Sequence, residues 1–129
     1  MTDLYPKHTD YHGEWHWPNF TSREVSCNCC GEYFHDHKSL TALQLLRDRW
    51  GKPIIINSGH RCPSHNREIQ GAPRSYHLKI AFDCRCPAEE QDAFATAARI
   101  VGFKGIIQYR SKGIVHLDTR KDPYGRVIP

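Results

Sequence analysis

The sequence predicts an α+β domain, a small and largely antiparallel sheet with flanking helices. Three observations carry that expectation: two stretches with the three-four apolar spacing of amphipathic helices, several short β-branched runs bounded by glycine or proline, and no internal repeat. With 129 residues the chain supplies one core, so residues 1–129 read as a single domain, with an irregular arm over 1–19.

The arm is crowded with Trp, Tyr, His and Pro and shows no helical or strand period, so its aromatics are expected to pack it. Thr21 or Ser22 followed by Glu24 reads as a short helix start, which the thiol-rich loop CNCCGEYF interrupts. From Lys38 to Trp50, Leu40, Leu43, Leu46 and Trp50 form one apolar stripe, with Ala42 and Leu45 alongside. Gly51 and Pro53 end that helix, and the β-branched run Ile54 to Asn57 reads as a buried strand. HRCPSHNREIQGAPRS is a long polar connection of the kind that carries function. LKIAFDC is the second strand candidate. Pro87 then opens a helix with acids in its first turn, Gly102 beyond its end, and Phe94, Ala97, Ala98 and Val101 as its buried stripe. GIIQY and GIVHLD, joined by RSKG, form a hairpin, and the tail TRKDPYGRVIP reads as loop.

Net charge is +4, which favours an anionic partner. The basic residues are scattered and not gathered with aromatics in one stripe, which argues against nucleic acid. No apolar run is long enough for a membrane span, and MTDLYPKHTDYHGEWHW lacks the basic-then-apolar layout of a signal peptide, so cytosolic synthesis of a monomeric protein is expected. Six cysteines in such a context point to reduced thiols or a thiolate metal site. Cys27, Cys30, Cys62 and Cys84 are the candidate set for a second, structural zinc, with Cys29 and Cys86 as alternates to Cys30 and Cys84; disulfides and free thiols stay open beside it. His8, His12 and His16 recur every four residues, but the nearby proline and glycine favour a plain arm, and His35 and His37 read as surface residues.

Catalytic zinc takes three protein ligands from His, Asp, Glu or Cys and keeps a further place open. A single strand histidine is more often hydrogen-bonded structure than ligand. His77, Asp83 and His116 nevertheless form such a set, and in the strand GIVHLD residues two apart share a face, so Asp118 accompanies His116.

The stretches LRDRWGKPIII, SGHRCPSHN, GAPRSYHLKIAFD and GIVHLDTR resemble the zinc D-Ala-D-Ala carboxypeptidase family, which includes phage L-alanyl-D-glutamate endolysins and shares the hedgehog fold; the match runs in order over roughly residues 20 to 120. The resemblance implies that His77, Asp83 and His116 bind zinc. It implies that Arg61 steadies the substrate carbonyl or the oxyanion formed from it, and that Ser75 lines the site. A phage-type hydrolase of peptidoglycan stem peptides is the implied activity, reaching the wall after release or as part of a virion; the rival is a fold-alike that binds wall peptide without cutting it.

Two departures from the pattern matter. Many relatives place an acidic base three residues before the final histidine, where this chain has Gly113, so Asp118 is the expected substitute unless it orients a ligand histidine instead. The family also spaces histidine and aspartate by seven positions with a glycine between them, whereas His77 and Asp83 are six apart without one. Six residues of straight strand would part their Cα atoms by about 20 Å. The chain must therefore turn between them, and Lys79 and Ile80 carry the turn.

Overall fold

The structure is a computed structural model that describes residues 3–129. Two short strands, β1 (Leu4–Tyr5) and β2 (Tyr33–Phe34), pair antiparallel and tie the arm to the body. Helix α1 (His37–Trp50) follows, then β3 (Ile56–Ser58), α2 (Pro63–Glu68), β4 (Phe82–Arg85), α3 (Gln91–Val101), β5 (Gly105–Tyr109), β6 (Ile114–Asp118) and β7 (Tyr124–Ile128). The larger sheet has the order β3-β4-β6-β5-β7, antiparallel throughout except that β7 runs parallel to β5. This is the expected α+β architecture. Among the described residues no helix is long and apolar enough to cross a membrane.

Asp36 starts α1 by accepting the Ser39 amide at 3.2 Å. Its apolar stripe buries Leu40, Leu43 and Leu46 completely, each contributing roughly 1.5–3 kcal/mol. Trp50 of α1 meets Phe94 of α3 edge to face at 5.1 Å. Along β4 and β6, Phe82, Cys84, Val115 and Leu117 are fully buried with these helices in one core. Period two then sends Asp83 and His116 to the opposite face, where they are direct cross-strand partners. The side chains of Ile107, Tyr109 and Ile114 share that face around a cleft.

The tail corrects the expectation of a loop: Tyr124–Ile128 is a strand, paired residue for residue with Gly105–Tyr109. Most of its residues are exposed, so it carries no apolar alternation and is held by main-chain hydrogen bonds. The polar connection 60–75 holds a six-residue helix, α2, begun by Cys62 and Pro63. The helix start expected at Thr21 closes a single turn, in which Thr21 and Glu24 exchange the reciprocal bonds of a capping box. In the arm, Trp17 is buried, and Tyr5, Tyr11, Trp15 and Tyr33 pack at ring distances of 5.5 to 6.5 Å.

Gly59, just after β3, lies directly against the backbone of Val25, and a Cβ there would come within 2.7 Å of the Val25 Cα. The adjacent His60 amide donates to the Val25 carbonyl at 2.9 Å. This close approach fixes how the first third of the chain lies on the site. Gly59→Ala is expected to destabilise the protein by about 1–3 kcal/mol, read as a lower urea midpoint with unchanged slope; an unchanged midpoint would show that the contact is dispensable.

Candidate functional site

Three acceptor atoms converge at the floor of the cleft. His77 Nε2 lies 3.1 Å from Asp83 Oδ1, and His116 Nδ1 lies 3.2 Å from each of them. The Ser75 hydroxyl accepts the His77 amide at 3.1 Å and so starts the 3-10 turn Tyr76–Leu78. Lys79 then makes the corner at φ −107°, ψ −94°, with no positive φ, which is why the short spacing needs no glycine. The expected second strand is thus shorter, beginning only at Phe82.

The outer nitrogens of both rings settle the tautomers. His77 Nδ1–H donates to the Gly59 carbonyl at 2.6 Å, and His116 Nε2–H donates to Asp118 Oδ2 at 2.7 Å. In the neutral rings the inner nitrogens are therefore bare lone pairs, facing each other and a carboxylate oxygen. No donor lies between them. Such a triangle requires a positive charge at its centre, either a metal ion or an extra proton. A tetrahedral ion with bonds of ~2.0–2.1 Å would hold its donors about 3.3 Å apart, close to all three observed edges. The residues fit zinc.

Burial opposes a charge on either partner, yet the contacts prevail. With a proton in the triangle, hydrogen bonds with Asp118 and Asp83 raise the His116 pKa despite its burial, and those from the protonated rings of His116 and His77 hold Asp83 well below the usual carboxylate range.

The profile of the family described as Peptidase M15 matches residues 18–118 of the chain. The chain belongs to the peptidase M15 family. Among curated proteins none matches it. The M15 peptidases are zinc metallopeptidases, and the matched segment contains His77, Asp83, His116 and both loops that support them.

Against that family background, Asp118 needs correction as the expected base. It is 1% exposed and does not line the cleft; besides the His116 proton it takes the Arg120 amide at 3.1 Å and the Arg120 guanidinium at 2.6 and 2.8 Å. A carboxylate so occupied, with its pKa lowered against its burial, has no room for a substrate proton. Its position is that of an orienting group for His116. Gly113, where many relatives carry an acid, sits at φ +64° in the β5–β6 turn. Arg61 does line the cleft, but it is committed to the protein: Ser58 at 3.1 Å, Asn66 at 3.3 Å and Asp83 Oδ2 at 3.2 Å. Of its five N–H groups, that leaves two for a ligand. Ser75 also lines the cleft.

Cys84 is the second correction. It shares strand parity with Phe82, opposite to Asp83, and is fully buried in the core. Burial raises its pKa well above the ordinary thiol value, and burial with Glu90 nearby pushes Cys86 to about 11; both thiols pack in the core, away from the other four. Cys29 takes the place expected for Cys84: the sulfurs of Cys27, Cys29, Cys30 and Cys62 come together. His35, expected at the surface, stacks on Tyr11 at 4.2 Å, while His8 contacts Ser22 and His16 pairs with Glu14. Among the described residues these arm histidines join no ligand cluster.

Sequence reasoning passed over three supports. The Gly59 carbonyl carries no sequence signal beyond the glycine itself. Buried His60 bridges the Lys79 carbonyl and the Glu32 carboxylate, and Arg120, just past the end of β6, lies between the rings of Tyr76 and Tyr124 at 4.2 and 4.9 Å.

Metal and proton compete for one place, which sets the pH dependence. In the metal-free protein the raised His116 pKa contributes stability below the ordinary histidine value of ~6.5 and loses it as pH rises through the folded value. Zinc affinity runs the opposite way, weakening as pH falls through that value. Chelator competition across pH should show this loss on the acid side; a flat profile would contradict it. Asp118→Asn should weaken zinc binding about 10–100-fold at fixed pH, because an amide is uncharged and has one acceptor oxygen where His116 and Arg120 now use two, measured by the same competition.

Proposed function

We propose that this M15 chain is a zinc-dependent hydrolase of peptidoglycan stem peptides, acting as a phage-type cell-wall lytic enzyme. One observation carries the reading: the His77, Asp83 and His116 triangle lies on the floor of a cleft of about 540 Å³ whose wall holds Arg61, Arg74, Lys112 and Arg120 but only one carboxylate, Asp83. Stem peptides are short and rich in carboxylates. Arg61 and Arg120 are paired with Asp83 and Asp118, so Arg74 and Lys112 are the lining cations placed to meet the stem peptide's carboxylates, and the net charge of +4 favours approach to an anionic wall.

His77, Asp83 and His116 would hold the zinc. When bound, it supplies Lewis acidity, which activates water and polarises a peptide carbonyl. Asp118 and the Gly59 carbonyl keep the two imidazoles in the tautomer that presents lone pairs inward. Arg61 holds the outer oxygen of Asp83 and lines the cleft, where a carbonyl oxygen gaining negative charge would accept its remaining N–H groups. Tyr76, Tyr109 and Ile107 give the same wall an apolar side for the peptide chain.

Non-catalytic binding of wall peptide is the rival, favoured by a specific observation: Gly113 replaces the upstream acid, and Asp118 is sealed behind His116. Turnover separates the two readings. Zinc-loaded protein incubated with purified muropeptides should release a shortened stem peptide detectable by mass spectrometry, with kcat/KM falling at least about 100-fold in Arg61→Ala, the loss typical when one donor to a developing oxyanion is removed. Saturable muropeptide binding by zinc-loaded protein, with no cleavage at any pH, would overturn the hydrolase.

A further inference from the structure

Away from the cleft, four sulfurs gather between two loops. Cys27, Cys29 and Cys30 come from the turn that precedes β2, and Cys62 from the start of α2; all four Sγ atoms lie within 4.8 Å of one another. Cys29 Sγ is 3.5 Å from both Cys27 Sγ and Cys62 Sγ. A tetrahedral four-thiolate zinc with bonds of ~2.3 Å sets its sulfurs about 3.8 Å apart. The cluster is therefore near the size of such a site.

Backbone amides point the same way. The Cys62 N–H donates to Cys27 Sγ at 3.4 Å, and the His65 N–H donates to Cys62 Sγ at 3.4 Å. A neutral thiol is a weak acceptor, whereas a thiolate draws such donors strongly. Several thiolates crowded together need a cation among them. The chain conformation supports the convergence: Gly31 reverses the loop at φ +79°, Cys27 and Glu32 close it with a 2.8 Å main-chain bond, and the Gly31 amide returns to the Cys27 carbonyl at 2.9 Å. A single disulfide would use only two of the four sulfurs and leave the others crowded against it.

We propose that Cys27, Cys29, Cys30 and Cys62 bind a second zinc ion, a closed four-thiolate site that staples the 27–32 loop to the loop carrying the cleft's supports. Four protein ligands leave no place for substrate, so the role is structural. Cys62 directly follows Arg61, and Gly59 and His60 stand just before it. Glu32, in the stapled loop, holds His60, which in turn holds the Lys79 carbonyl at the corner between His77 and Asp83. The second ion would thus brace the segment whose backbone orients His77. It stands on its own sulfurs, independently of what His77, Asp83 and His116 hold.

Zinc analysis combined with X-ray absorption at the zinc edge tests it. Wild-type protein should carry two zinc ions per chain, with a sulfur shell at ~2.3 Å beside a nitrogen and oxygen shell. Cys29→Ser/Cys30→Ser should drop to one ion and lose the sulfur shell, while His116→Ala should keep the sulfur shell whatever happens at the cleft. If the cysteine variant fails to fold, the wild-type spectrum alone decides. Zinc with only nitrogen and oxygen neighbours, together with four thiols that react equally fast before and after chelation, would overturn the proposal.

Discussion

Three acceptor atoms held 3.1 to 3.2 Å apart with no donor among them are the constraint on which the rest of this structure turns. Left alone they repel, and the protein holds them together from behind. Asp118 and the Gly59 carbonyl claim the outer ring protons, while Arg61 claims the other Asp83 oxygen. Each of those supports is itself anchored: Asp118 by Arg120, Gly59 by its contact with Val25, and Arg61 by Ser58 and Asn66. A site so braced can hold a cation with little rearrangement, and that preorganisation is the physical content of its likeness to a zinc peptidase.

The sheet and the loops divide the work. Register on β4 and β6 places Asp83 opposite His116, and a slip of one residue in either strand would turn that strand's ligand into the core. His77 comes from a turn, and its place depends on the corner at Lys79, which His60 and Glu32 hold in position. Rigid strands supply two of the three acceptors, and a loop fastened at several points supplies the third.

Much of this was legible in the chain. The stripe Leu40, Leu43, Leu46 marks α1 because burial on one helix face imposes its period, and the alternation in GIVHLD marks β6 for the same reason. The need for a turn between His77 and Asp83 followed from strand length alone. Other features were hidden. Tyr124–Ile128 is mostly exposed, so its pairing with β5 leaves no hydrophobic trace. Whether Asp118 faces substrate or supports His116 depends on Arg120 and on depth below the cleft, neither of which spacing records. Cys84 was a readable miss: with Asp83 facing the site, its neighbour had to face the core.

The central claim is that His77, Asp83 and His116 share one metal ion. Anomalous diffraction from crystals grown with zinc, recorded at the zinc edge, tests it most directly. The account predicts a peak about 2.0–2.2 Å from His77 Nε2, Asp83 Oδ1 and His116 Nδ1 together. Full zinc occupancy elsewhere in the molecule, with no peak inside that triangle, would contradict it.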